Sequence, residues 1–292
     1  MTGTYLERLA ARSAAVESVL CVGLDPDPAS LPDGFSRDLV GVERFATMVV
    51  EAAAPFAAAV KPNLAFFESF GSAGMAALER IRSRLPPGLQ LVADAKRGDI
   101  SSTVAHQAIA LFDCLGADAV TINPYVGGEA LEPLLARADR FAYVLCRTSN
   151  PGAAELQNLV VEADPSIGAP AEALYLRVAR RVARWGPGGT TGLVVGATAA
   201  GELRAIRETV PGLAFLVPGI GAQGGDLENV LAAGPAAAGP TAGRAGRGLL
   251  VNVSRGISGA ASTVPAPGSP RDLEERLAAA ARDWAGRLPV LP

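Results

Sequence analysis

Apolar residues along this chain come in short bursts at regular intervals. The runs Val19–Asp25, Ala57–Asn63, Gln90–Lys96, Ala119–Asn123, Phe141–Arg147, Gly192–Ala197, Ala214–Pro218 and Gly248–Ser254 are β-rich, and several are nearly continuous in apolar character. That pattern belongs to strands buried on both faces of a parallel sheet. Between them lie segments with helical spacing: Val42–Ala54, Ala73–Arg84, Ser102–Leu115, Ala171–Trp185 and Ala199–Val210, with a last one over Pro270–Trp284. The opening stretch, "MTGTYLERLAARSAAVES", carries charges throughout and predicts an amphipathic helix, not a signal peptide. Eight βα units in 292 residues predict a single-domain (β/α)8 TIM barrel, with a doubly wound sheet as the competing arrangement.

Two segments depart from the repeat. Residues 149–170 form a long insertion after the fifth strand, expected to be lid or surface structure. Residues 234–247, "GPAAAGPTAGRAGR", are low in complexity and expected to be mobile. No linker divides the chain.

Composition narrows the function. Apolar residues make up 49%, enough for a sizeable core, and the net charge of −3 argues against a nucleic-acid partner, which needs a basic face. No run approaches 18 apolar residues, so no membrane span is expected. Cys21, Cys114 and Cys146 form no CxxC pair and read as buried, reduced thiols of a cytoplasmic protein. The single histidine, His106, cannot build a His-rich metal site. Of 26 basic residues only two are lysine, Lys61 and Lys96, and each ends an apolar run.

Barrel enzymes carry their chemistry at the carboxyl ends of the strands. Polar residues collect there in this chain: Asp25 after the first strand, Lys61 at the end of the second, Asp94 and Lys96 in the third, Asn123 after the fourth, Thr148 and Ser149 after the fifth. Strand alternation puts Asp94 and Lys96 on one face. Asp99 follows in "DAKRGDI", just before a helix expected to be capped by Ser101 or Ser102. With Lys61 alongside, two carboxylates and two ammonium groups form one expected cluster. The plain alternative is an ion-pair network closing the barrel top. Lysine in a chain that otherwise uses arginine favours proton chemistry, because a lysine whose surroundings shift its pKa can change protonation state near neutrality and arginine cannot. Separately, the glycine-rich "PGIGAQGGD" after the seventh strand and Arg255 in "NVSRGI" after the eighth fit an anion such as phosphate.

Taken together, "GLDPDP", "VKPNLAFFESFG", "ADAKRGDI", "TINPYVGGEAL", "CRTSNPGA", "VPGIGAQGGD" and "VNVSRGI" resemble the orotidine 5′-phosphate decarboxylases, specifically the longer bacterial branch, over nearly the whole chain. Ser101 departs from the glycine expected in that branch and touches nothing catalytic. The resemblance implies that orotidine 5′-monophosphate is converted to uridine 5′-monophosphate and CO2 without cofactor or metal. It implies Lys96 as proton donor to C6, Asp94 against the substrate carboxylate, and Lys61 holding the network and the ribose. It implies a homodimer in which Asp99, accompanied by Thr103, reaches into the neighbouring site. Asp25 is then the ribose-binding carboxylate, and Thr148 or Ser149 contacts the pyrimidine. Gln223, Arg255 and the backbone around Gly221 hold the phosphate. Asn123 completes the polar strand ends as a substrate-binding candidate. Two rivals remain: a Mg2+-dependent sugar-phosphate decarboxylase or aldolase on the same barrel, for which Glu68 is the nearest extra carboxylate, and a phosphate-binding barrel without turnover.

Overall fold

A computed structural model describes residues 3–198, 200–221, 224–262 and 269–291. Among these residues, eight parallel strands close into a barrel: β1 (Leu20–Leu24), β2 (Ala59–Pro62), β3 (Gln90–Arg97), β4 (Ala119–Ile122), β5 (Phe141–Arg147), β8 (Thr191–Val195), β9 (Ala214–Pro218) and β10 (Leu249–Val253). A two-stranded hairpin, β6 (Val160–Val161) with β7 (Glu172–Ala173), stands apart from them. All eight expected strands are present, and neighbours in sequence are neighbours in the barrel.

Alternation along each strand divides the core in two. Leu20, Val22 and Leu24 of β1 face outward into the layer between strands and helices, while Cys21 faces the barrel interior with Val92, Ala119, Phe141, Val194, Leu216 and Leu250. Both faces are apolar because both are buried, which explains why the strands read as continuous runs. Interior space is matched residue by residue. A Cβ on Gly192 would sit 2.5 Å from the Ala214 carbonyl and 2.8 Å from the Phe141 ring, so glycine there makes room for Phe141.

The amino-terminal helix, Tyr5–Val16, closes the floor. Thr4 and Glu7 form a capping box at its start. Its apolar residues Tyr5, Leu6 and Leu9 enter the interior cluster, where Tyr5 stacks on Phe141 at 4.8 Å between ring centres. Burying each such side chain contributes about 1.5–3 kcal/mol, which makes this helix part of the core and not an appendage.

Several local expectations need correction. The helix expected over Ser102–Leu115 runs Ser101–Ala108 and then widens into a π-helix, Ile109–Cys114. The wider turn keeps Leu111 and Phe112 inside and leaves Cys114 exposed, whereas Cys21 and Cys146 are buried as expected. Neither Ser101 nor Ser102 caps that helix; Ile100 holds the position, with no side-chain hydrogen bond. The helix expected from Ala171 begins at Leu174, because Glu172 and Ala173 pair with Val161 and Val160. Residues 149–170 thus contain a short helix, Ala154–Gln157, and one strand of the hairpin. The low-complexity segment 234–247 is built into short turns and helices, with Ala236 fully buried and Arg244 paired to Glu7. Small residues pack closely there, as Gly246 does against Val19 and Ser13.

Candidate active site

Three strands bring the charged groups together. Lys61 ends β2, Asp94 and Lys96 lie in β3, and Thr121 lies in β4. Lys61 Nζ donates to Asp94 Oδ2 at 2.6 Å, and Lys96 Nζ donates to Asp94 Oδ1 at 2.6 Å. The Lys61 and Asp94 side chains are 6% and 12% exposed, while that of Lys96 is 50% exposed. One carboxylate therefore holds two ammonium groups, one sealed beneath the surface and one open to the mouth.

Electrostatics follow from that packing. Burial by itself would raise the Asp94 carboxyl, but the charges and hydrogen bonds of Lys61 and Lys96 outweigh it and hold the group well below the usual carboxylate range. Burial by itself would lower Lys61; the charges of Asp94 and Asp25 more than offset that, so Lys61 is held above its ordinary value. Cys21 lies in the interior beneath this cluster, and burial pushes its thiol up to about 12, so it is a neutral wall and not a nucleophile.

Simple strand alternation accounts for only part of this geometry. Lys96 has φ of +48°, in the left-handed region that β-strand residues avoid. The pairing of β3 with β4 jumps from Ala93 opposite Val120 to Arg97 opposite Ile122. Asp94, Ala95 and Lys96 thus face the single residue Thr121, a bulge that turns both charged side chains into the mouth. The Thr121 hydroxyl accepts from the Ala95 and Lys96 amides at 3.0 Å each and donates to Asp94 Oδ1 at 2.9 Å. Nothing in the sequence marks Thr121, because a threonine inside "AVTI" looks like an ordinary β-former.

The remaining candidates are placed as follows. Asp99 does not join the cluster. It is exposed past the end of β3, and its side chain accepts from the Ile100 amide at 2.7 Å. Three of the four expected charges, Lys61, Asp94 and Lys96, are therefore paired with one another within one protomer. Thr103 is partly buried in the helix that follows. Asn123 is committed to a turn: its side chain accepts from the Tyr125 amide at 3.0 Å and caps Pro124–Val126. Thr148 is held by Gln157, whose Nε2 donates to Thr148 Oγ1 at 2.8 Å and whose Oε1 accepts from the Thr148 amide at 2.9 Å. Gln157 was not anticipated, because it lies nine residues away in the insertion. Ser149 packs on Gly196, where a Cβ would approach it to 2.9 Å. Glu68 is ion-paired to Arg97.

Next to this cluster, Asp25, Asn63, Phe66, Arg255 and Ser258 line a cleft of about 730 Å³, and Asn63 forms a backbone bridge to Asp94. Beside Arg255 in the chain, Gly256 approaches Gly221: a Cβ on Gly221 would lie 3.8 Å from the Gly256 amide nitrogen. Arg255 opens the short helix Arg255–Ser258 and is exposed, with no carboxylate partner among the described residues. Gln223 lies outside the described residues. Among the described residues, no three His, Cys, Asp or Glu side chains are grouped to hold a metal ion.

A closed (β/α)8 barrel with a charged cluster and a cleft holding Arg255 at its carboxyl end has the architecture of a barrel enzyme. Its family is more specific. The model of the orotidine 5′-phosphate decarboxylase / HUMPS family matches residues 18–266, and the chain belongs to that family. It is 47% identical over 255 residues to the orotidine 5′-phosphate decarboxylase of Thermomicrobium roseum, covering 87% of this chain and 86% of that one. The corresponding protein of Roseiflexus sp. strain RS-1 is 43% identical over 286 residues, covering 98% and 96%. Among solved structures, Leishmania donovani OMP decarboxylase superposes with a TM-score of 0.76 at 36% identity, over 97% of this chain and 99% of that one.

Proposed function

We propose that this chain is an orotidine 5′-phosphate decarboxylase that releases CO2 from orotidine 5′-monophosphate to give uridine 5′-monophosphate. The observation that carries the reading is the Lys61–Asp94–Lys96 row at the mouth, with the Lys96 ammonium open to solvent and its partners buried behind it. In the reaction the C6–carboxylate bond breaks and its electron pair stays on C6, in an orbital that the ring cannot delocalise. The Lys96 ammonium lies next to that developing charge, stabilises it, and gives its proton to C6. Asp94, kept ionised by both lysines, is unfavourable beside the substrate carboxylate and is relieved when CO2 leaves. Lys61 holds Asp94 and neutralises part of its charge, and Asp25 extends the polar wall toward the ribose.

Arg255, exposed beside the Gly221–Gly256 contact, is the phosphate anchor in this reading. Gln223 is its proposed companion. The insertion 149–170 serves as a lid over the pyrimidine, with Thr148 and Ser149 beneath it. Asp99 and Thr103 act in a neighbouring site of a homodimer. Support for that arrangement is the exposed apolar surface beside Asp99: Ile100 is 67% and Tyr125 91% exposed, with Ile109 and Val126 near half. The proposal includes a cytoplasmic setting and no metal or cofactor. No helix among the described residues is long and apolar enough to cross a membrane.

The test is direct. EDTA-treated protein is mixed with orotidine 5′-monophosphate and the loss of its ultraviolet absorbance is followed, with Lys96→Ala in parallel. Turnover by the parent alone, in EDTA, is the expected result. Turnover restored only by added Mg2+, or equal rates in both proteins, overturns the reading.

A further inference from the structure

We infer that Thr121 is a positioning residue for the decarboxylation, and that its hydroxyl sets the left-handed turn at Lys96 and the orientation of the Asp94 carboxylate together. This deepens the decarboxylase reading above and rests on it.

The argument starts from the bulge. Between Ala93 and Arg97 β3 spends three residues where β4 spends one, so the backbone ladder has no carbonyl to offer the Ala95 and Lys96 amides. Part-buried amides left without acceptors are costly. The Thr121 hydroxyl oxygen takes both, at 3.0 Å each. A hydroxyl has two acceptor sites and one proton. With both acceptor sites occupied by N–H donors, the remaining proton has one direction left, toward Asp94 Oδ1 at 2.9 Å. The polarity of the whole network is thereby set. Asp94 receives donors from Lys61, Lys96 and Thr121, and has no acceptor on the Thr121 side to which a carboxylic acid proton could be given.

The same oxygen also holds Lys96 in its unusual conformation. A φ of +48° is unfavourable for a side chain with a Cβ, and persists only where surrounding contacts over-determine it. The bond from the Lys96 amide to Thr121 is such a contact, made at the residue that carries the acid. Thr121 is 2% exposed and lies below the charged row, so it acts through Asp94 and Lys96 and does not touch substrate.

Two substitutions test this. Thr121→Val keeps the shape and removes the hydroxyl; Thr121→Ser keeps the hydroxyl and removes the methyl group. In the orotidine 5′-monophosphate assay, Thr121→Val is expected to lose about 100-fold in kcat, the low end of what a positioned proton donor supplies, with KM within about 3-fold of the parent. Thr121→Ser is expected to recover kcat to within about 5-fold of the parent, because hydroxyl chemistry and not methyl packing carries the effect. Amide hydrogen exchange gives a readout independent of turnover: Ala95 and Lys96 should lose protection in Thr121→Val and keep it in Thr121→Ser. A Thr121→Val enzyme with parental kcat overturns the inference, as do equal losses in both variants. If the parent itself does not turn over orotidine 5′-monophosphate, the decarboxylase reading fails, and exchange at Ala95 and Lys96 alone decides whether Thr121 sets the bulge; unchanged protection in Thr121→Val overturns it.

Discussion

Asp94 and Asp118 lie at opposite ends of the same barrel, and each is surrounded by cations. Asp118, just before β4 at the floor, meets Arg8 at 3.2 Å, Arg82 at 3.4 Å and Arg140 at 3.8 Å. Asp94, at the mouth, meets Lys61 and Lys96. The floor uses arginine because each guanidinium has donors to spare for the backbone. Arg8 also reaches the carbonyls of Gly3 and Asp139, and Arg82 that of Gly116, so the cluster ties the amino-terminal helix and two loops to the sheet. Asp118 itself accepts from the Leu91 amide at 2.9 Å. Each of the three guanidinium groups there is paired with the Asp118 carboxylate. At the mouth the cations are point charges on flexible stems, and the Lys96 ammonium remains half exposed. Charge clusters of similar make-up are thus built differently: one fastens the fold, the other leaves an ammonium open to solvent beside a buried carboxylate.

The comparison breaks most sharply at Lys96. Lys96→Arg preserves the charge but withdraws the transferable proton, so kcat should fall about 1,000-fold, within the range expected for loss of a general acid. The unfolding midpoint should hardly move. Thermal melts and steady-state rates on the same sample check both, and a variant that keeps its rate would mean that charge alone is enough. At the floor the pattern inverts. Asp118→Ala leaves Arg8 buried without its carboxylate and should cost about 3–5 kcal/mol in denaturant unfolding, while kcat of the folded fraction stays within a few-fold.

pH sharpens the contrast further. The Asp94 carboxyl is depressed in the folded state, so its contribution is complete above its unfolded value near 3.8 and is lost as pH falls through the folded one. The Lys61 ammonium is raised, so its contribution is complete below about 10.5 and is lost as pH rises through the folded value. The contribution of this pair to the parent's stability, followed by denaturant unfolding across pH, should therefore be flat from about pH 5 to 9 and shrink outside that window. A slope across neutrality would mean that another group is coupled to the cluster. The smallest expected effect is at the floor again. Tyr5→Phe removes the 3.2 Å contact between the Tyr5 and Tyr143 hydroxyls and should cost about 1 kcal/mol with no change in kcat.

Much of the site was legible before any coordinates. Lys61, Asp94 and Lys96 stood out because lysine is rare in this chain and because each falls at the end of an apolar run. Asp99 was legible as a residue, but its place beside Ile100, outside the Lys61–Asp94–Lys96 pairs, came only from the fold. Thr121 was invisible for a different reason. Its role depends on a register shift against a neighbouring strand, and no property of "AVTI" announces a bulge in β3. Gln157 is a related case, joined to Thr148 only by the fold of the insertion. The exposure of Cys114 follows from a π turn that helical periodicity does not anticipate.

What the chain's own pattern determined, then, is periodic and local: eight runs buried on two faces, the helices between them, and polar residues where each run stops. Burial on both faces leaves a strand little choice of composition, so such features are written directly into the residues. Tertiary structure decided whatever depends on one strand's register against another, including the turn at Lys96, the three bonds of Thr121 and the departure of Asp99. Register is set by the summed packing and hydrogen bonding of paired strands, and that sum is a property of the closed barrel and not of any segment within it.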